Sequence, residues 1–167
     1  MKEVAIFNKE GNFLGNLSKN EALTQEAIRG AVRVFVFNDI GKLFLQKRDK
    51  NMNIAPGKWD QSCSGHIDEG EEPEEAAKRE LEEELGVSGV PLEFVCGRYF
   101  EETYDGKLFK SYDFIYRCRY DGEIKVQKSE IEVGRWVKRE DLEKEIKEHP
   151  ENFTETLSRI DEISDLF

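Results

Sequence analysis

Cysteine is scarce in this chain, and what there is cannot build a scaffold. Cys63, Cys96 and Cys118 are odd in number and widely spaced. That excludes a disulfide framework and a zinc site of ordinary spacing. Buried free thiols in a reducing cytoplasm are the expectation. Basic charge is also short. Lys and Arg number 25 against 36 Asp and Glu, a net charge of −11. A nucleic-acid polymer would want a basic face, so none is expected as a partner. No apolar run is long enough to span a bilayer, and the N-terminus lacks the apolar core of a signal peptide. No membrane partner and a cytoplasmic location are therefore expected. Internal repeats and low-complexity linkers are absent too. A chain of 167 residues then reads as one domain, 1–167, long enough to bury a core. Residues 1–28 form an N-terminal hairpin extension and 139–167 are C-terminal helices.

What is present is concentrated in Gly65 to Val87, GHIDEGEEPEEAAKRELEEELGV. A glycine-led loop turns into a helix here. Pro73 suits a first turn, where its missing N–H is unpaired anyway. Ala76 to Leu85 are all good helix formers. Gly86 supplies positive φ at the helix end. Glu80, Glu83 and Glu84, spaced i, i+3 and i+4, share one face. Ala77, Leu81 and Leu85 make the adjacent apolar stripe. Three carboxylates on one face repel each other unless a cation sits there. Hard divalent cations take oxygen ligands, and Mg²⁺ also binds substrate phosphate. Gly65 lets its own backbone carbonyl come close, and Arg79 can fix a carboxylate with a planar fork. A solvated acidic helix is the plainer alternative.

The rest of the chain is punctuated by turns. Val4–Phe7 and Phe13-Leu14 read as a hairpin, an edge extension rather than a dimerisation element. Residues 18–29 are a polar connector with a short helical turn near Glu21 to Leu23. Ala31–Phe37 and Leu43–Gln46 read as strands around a turn at Gly41. Trp59, beside Pro56-Gly57, is expected in the core rather than as a substrate platform. Leu92–Tyr104 and Lys107–Tyr120 are long strands joined by Asp105-Gly106, a strong hairpin signal. Glu123–Val126 extends the meander, and Arg135–Val137 is a further short strand. Glu140–Glu148 is a helix that Pro150 ends. A last helix runs from about Phe153 to Phe167, burying Leu157, Ile160 and Ile163. Strands, a helix, strands and then helices imply a mixed sheet covered on both faces.

The spacing of the acidic stretch goes further. Gly65, five residues, Glu71, seven residues, Arg79-Glu80-Leu81, one residue, Glu83-Glu84, one residue, Gly86-Val87 fulfils the nine specified positions of the Nudix hydrolase signature. The chain resembles that family from Ala31 to about Val137. The resemblance implies an α/β fold, the Nudix-type α/β/α sandwich with a mixed β-sheet. It also implies metal-dependent hydrolysis of a diphosphate linkage, in a nucleoside diphosphate derivative or a related organic diphosphate. Mg²⁺ is the implied cofactor, with Mn²⁺ as a substitute. Glu83 and Glu84 would be the main ligands and the Gly65 carbonyl would complete them. Glu80 would ligate or accept the proton of the attacking water. Arg79 would orient Glu80 or Glu83, Glu71 would brace the loop–helix junction, and Arg48 would contact phosphate. One more carboxylate is expected from a later loop, Glu130 or Glu132, with Glu130 aligning better. The partner is a small-molecule diphosphate, and the protein is a monomer or homodimer.

Segments outside the signature are similar to the isopentenyl-diphosphate isomerase-like branch of the family: Val4–Asn8, Val36–Arg48, and Pro56-Gly57-Lys58-Trp59 through Gly65-His66. In true isomerases of this shape a cysteine precedes the Gly-His pair and histidines bind metal. Here Ser64 holds that cysteine position, with Cys63 one place early, which in an extended segment points to the other face. The upstream histidine positions fall on Arg29 and near Ala22, and a diphosphate-binding lysine falls on Met52. His66, without partner histidines, is expected to hydrogen-bond within its loop rather than ligate metal. The isomerase, and a non-catalytic diphosphate sensor, remain as alternatives. Tyr104 stands where some dinucleoside polyphosphate hydrolases carry a tyrosine, and it equally suits a hairpin strand.

Overall fold

A computed structural model describes residues 2–167. In chain order, β1 (Val4–Phe7) and β2 (Phe13–Leu17) form the N-terminal hairpin, followed by α1 (Lys19–Thr24). Ser18 caps α1, its Oγ accepting from the Glu21 amide at 3.1 Å. Next come β3 (Ile28–Phe37), β4 (Leu43–Arg48), β5 (Trp59–Asp60), β6 (Cys63–His66) and α2 (Pro73–Leu85). The chain closes with β7 (Glu93–Tyr104), β8 (Lys107–Arg119), β9 (Ile131–Val137), α3 (Arg139–Glu148) and α4 (Glu155–Ser158).

The sheet is mixed and built around β3. Strand β8 runs parallel to it over the whole span from Ile28↔Lys110 to Phe37↔Arg119. Strand β6 lies antiparallel to it, from Ala31↔His66 to Val34↔Cys63. The N-terminal hairpin joins through Ile6↔Arg29, which leaves β2 on the outside. Asp105 and Gly106, at φ +50° and +73°, make the tight turn between β7 and β8, as a two-residue hairpin requires.

Alternation along β3 sorts the core into two layers. Val32, Val34 and Val36 face α2, packing with Ala76, Ala77, Leu81 and Leu85. Phe35 faces the other way, into a cluster with Leu142 of α3 and Leu157, Ile160 and Ile163 of the C-terminal segment. This is the helix–sheet–helix sandwich, with α2 packed on one face and α3 and the C-terminal segment on the other. Trp59 joins the second cluster, with Arg135 and Lys47 over its ring.

Four sequence expectations need correction. The connector is shorter than expected, because β3 starts at Ile28 so that Arg29 can pair with Ile6. Strands β3 and β4 are not a simple hairpin. They share only Phe37↔Leu43, after which β4 splays away to pair with β9 and β5. Residues 123–126 add no strand. The Lys125 and Gln127 amides donate instead to the Leu85 and Glu84 carbonyls, satisfying orphan acceptors at the end of α2. The last helix is also not continuous. After α4 comes a 3₁₀ turn, Ile160–Glu162. Thr154 and Thr156 direct their hydroxyls to Asp60 and Gln61, which ties the segment to β5 and leaves a helix of only one turn. The apolar stripe is still buried, Leu157 from α4 and Ile160 and Ile163 from the turn that follows it.

Candidate active site

Helix α2 carries the acidic face, and its ends are fixed by the residues that bound it. Pro73 opens it and Gly86 closes it at φ +67°. The Glu72 amide donates to the Glu75 carboxylate at 2.9 Å, an N-terminal brace. With Ala77 and Leu81 pressed into the sheet, the neighbouring stripe of Glu80 and Glu84 is pulled inward too.

The three carboxylates end up in three environments. Glu84 is 5% exposed, and its Oε1 accepts from Gln46 Nε2 at 2.8 Å. Gln46 is held in turn by the Ser62 carbonyl at 3.0 Å. Glu80 lies against Gly65 so tightly that a Cβ there would overlap its carboxyl group. Only glycine admits that approach. The Glu83 side chain is 53% exposed. Burial pushes the Glu84 carboxyl well above the usual range, and its hydrogen bond with Glu80 adds to this. Burial also raises Glu80, against the opposing pull of its hydrogen bonds with Glu84 and Arg79. Glu80 and the more deeply buried Glu84 are carboxyls whose ionised forms a bound cation would favour.

Arg79 is the hub. Its Nε and Nη2 donate to the two Glu71 oxygens at 2.7 and 2.9 Å. Nη1 reaches Glu80 at 2.8 Å and Glu83 at 3.3 Å. Nη2 also donates to the His66 carbonyl at 3.1 Å. These bonds raise its pKa further, Glu71 contributing most. Burial would raise Glu71, but Arg79 and the Asp68 amide outweigh it and hold this carboxyl below its ordinary value. The Asp68 amide donates to Glu71 at 2.8 Å. Loop and helix are thus pinned through one guanidinium and one carboxylate.

The carboxylates open into a cavity of about 680 Å³ whose wall includes Arg48, Met52, Gln127 and Glu130. Glu130 is brought there by the loop that caps α2. Glu132 is not; it sits on β9, 3.8 Å from Lys47 Nζ and half exposed. Arg48 is braced by the Ile54 carbonyl at 2.9 Å and lies 3.5 Å from Asp60. Its position is at the junction with a second cavity of about 360 Å³, which also shares Ser64, Gly65 and His66. Tyr104 lines that second cavity.

His66 requires a correction. Its ring takes no hydrogen bond from its loop among the described residues. Burial, with Arg29, Lys19 and Arg33 nearby, drives its pKa down to about 3, so it is a neutral imidazole. Cys63 pairs opposite Val34 and Ser64 opposite Arg33. The thiol is therefore in the α2-side core, fully buried, and burial followed by Glu84 pushes its pKa well up.

Among the described residues no three His, Cys, Asp or Glu side chains already converge as a metal cage. Arg79 draws Glu80 and Glu83 toward itself, and Glu83 reaches into solvent. The donor set nevertheless fits a hard divalent cation, being oxygen throughout, on carboxyls whose charge burial penalises until a cation is bound.

The model of the NUDIX domain matches residues 27–157. The chain belongs to the Nudix family. It carries a Nudix hydrolase domain, and such enzymes cleave pyrophosphate bonds in small molecules with the help of a divalent metal. A Nudix hydrolase of uncharacterised activity from Listeria monocytogenes is 32% identical over 148 residues, 86% of this chain and 83% of that protein. An isopentenyl-diphosphate Δ-isomerase from Serratia proteamaculans is 31% identical over 156 residues, 92% of this chain and 87% of that one. A crystal structure from Deinococcus radiodurans shares the fold with a TM-score of 0.77 at 24% identity, covering 95% and 96% of the two chains. No helix among the described residues is long and apolar enough to cross a membrane.

Three contributors to the Nudix site went unnoticed in the sequence. Gln46 had a signal, as the polar residue closing the apolar run Leu43-Phe44-Leu45 on a strand. Asp68 and Gln127 had none, since their roles come from backbone turns.

Proposed function

We propose that the protein hydrolyses a diphosphate linkage in a nucleoside diphosphate derivative or related organic diphosphate, using Mg²⁺ or, in its place, Mn²⁺. The observation that carries this reading is the buried Glu80–Glu84 pair beside Arg79, which has no use in packing and is costly without a cation. A bound divalent ion would neutralise phosphate charge and lower the pKa of a water. Glu83 and Glu84 would hold the ion with the main carboxylate oxygens, and the Gly65 carbonyl would complete the protein side. Glu80 would serve as a further ligand or as the base that accepts a proton from the attacking water. Arg79 holds Glu80 and Glu83 in register from behind, and Glu71 fixes Arg79. Arg48 contacts phosphate.

Glu130 is the accessory acid in this reading, because it lines the carboxylate cavity while Glu132 pairs with Lys47. Glu130→Gln should cut turnover by about tenfold or more, and Glu132→Gln should stay within about twofold. Steady-state rates of the two variants decide it; the reverse order would move the role to Glu132.

The isomerase is the second reading, favoured by relatives that bear that name. What weighs against it is chemistry. Allylic isomerisation needs an acid and a base at an unactivated double bond. Ser64 is a far weaker acid than a thiol, and Cys63 lies in the core. With isopentenyl diphosphate and Mg²⁺ in deuterated water, no deuterium should enter the carbon skeleton, and Cys63→Ala should keep most diphosphatase activity. Deuterium uptake abolished by Cys63→Ala would put the isomerase in place of the hydrolase. A sensor without catalysis would bind diphosphates and turn none over.

A further inference from the structure

Behind the carboxylate cavity, the second cavity holds an arginine that its ion pair does not use up. Arg33 projects from β3 on the face away from α2, opposite Ser64 in the register. Its Nε donates to Asp113 Oδ2 at 2.8 Å. Among the described residues its two terminal nitrogens donate no hydrogen bond. The residue lines the cavity wall, its side chain being 14% exposed. Arg–carboxylate pairs are frequently bidentate, with two parallel bonds. Here only one edge is spent.

Asp113 is built to hold that edge still. It is fully buried, Ser111 Oγ donates to its other oxygen at 2.7 Å, and Arg98 stands 3.6 Å from Oδ2. Arg98 makes the contrast. Its guanidinium nitrogens also lack partners, but they are sealed from solvent and stack over Phe100. Both side chains are 14% exposed, but only Arg33 lines the cavity, whereas the Arg98 nitrogens are enclosed counter-charge.

The charge around Arg33 selects what it can receive. Arg33, Arg48 and Lys58 line this cavity together with Asp60, Glu102 and Glu155. These lining charges balance, and Asp113 behind Arg33 is matched by Arg98. A further phosphate would find no net positive charge to receive it. An isoprenyl tail would strip water from charged groups and return no hydrogen bond. An uncharged head with acceptors for Arg33 and N–H donors for Glu102 suits both partners.

We propose that Arg33, held by Asp113, is the specificity-determining residue for the head group of the substrate, donating from its terminal nitrogens to an acceptor on a nucleobase. This rests on the hydrolase reading only for what the diphosphate does next door. The specificity gain comes from the site itself, whose polar groups go unpaired when the head is missing.

The test compares kcat/KM for nucleoside 5′-diphosphates with kcat/KM for methyl diphosphate, which has no head group, in the wild type, Arg33→Met and Arg33→Lys. Arg33→Lys keeps a cation for Asp113 and removes the fork, so it serves if Arg33→Met does not fold. The ratio should fall at least about tenfold in the variants, through KM rather than kcat. A ratio that does not move would overturn the proposal. If the wild type turns over no diphosphate, calorimetry with a methylene-bridged nucleoside diphosphate decides. Binding at least tenfold weaker in the variants would uphold Arg33 while the hydrolase reading fails. Equal binding, or none by the wild type, would overturn it.

Discussion

Glu84→Gln is expected to lower turnover by about a thousandfold or more while making the metal-free protein more stable at neutral pH. The activity loss follows from removing a carboxylate whose charge has no substitute in the site. The stability gain follows from burial. Glu84 has its pKa raised in the folded state by burial first and by Glu80 second. A carboxyl with a raised folded pKa is protonated more readily when folded than when unfolded. Its folded form is therefore favoured at low pH, and stability declines as pH rises from the unfolded value of about 4.3 toward the raised one. Glutamine does not ionise, and its side-chain oxygen can still accept from Gln46. The variant should melt about 2–4 °C above wild type at pH 8 with a chelator present, equivalent to roughly 1 kcal/mol for a domain of this size. The difference should vanish near pH 4.3. Added Mg²⁺ should reverse the order, because only the wild type regains its ligand set. Glu83→Gln separates the two effects. Its side chain is mostly in solvent, so turnover should fall by orders of magnitude with the fold intact and little change in melting. Equal turnover of these variants and the wild type, with either metal, would remove the assignment.

Arg79→Lys should cost about ten- to a hundredfold in kcat/KM, although charge is conserved. Lysine offers three donors from one point and cannot bridge Glu71, Glu80 and the His66 carbonyl together. A loss of about 1–2 kcal/mol in stability should accompany it, modest because Arg79 is a quarter exposed. The reading that distinguishes positioning from mere stability is the pH profile. Arg79 holds Glu80 down against the burial that raises it. With the fork gone, Glu80 needs a higher pH to ionise, so the acid limb of kcat should move upward. A variant that melts earlier while its acid limb stays in place would make Arg79 structural only.

The parts of this molecule that were legible in the sequence are those governed by local chemistry. Pro73, Gly86 and the i, i+3, i+4 carboxylates define α2 within a few residues of one another, and Asp105-Gly106 writes its own turn. Competition between distant parts was not legible. Nothing in Glu123–Val126 shows that its amides will cap α2 instead of joining the sheet. Thr154 and Thr156 look helical until Asp60, more than ninety residues away, captures their hydroxyls. Arg33 and Asp113 are separated by eighty residues, and their meeting depends on the parallel register of β3 and β8. The degree to which Glu84 and Glu80 differ from Glu83 was also hidden. One face carries all three, but only the sheet decides which are buried.

The central claim is cation-dependent hydrolysis at the α2 carboxylates, and oxygen-18 water tests it most directly. A panel of nucleoside and prenyl diphosphates would be incubated with the protein and Mg²⁺ or Mn²⁺ in H₂¹⁸O, and the phosphate-containing products weighed. At least one substrate should yield a product carrying one ¹⁸O on phosphorus, only when the cation is present and not with Glu84→Gln. Absence of labelled phosphate from every substrate at saturating cation, or label that persists undiminished in Glu84→Gln, would contradict it.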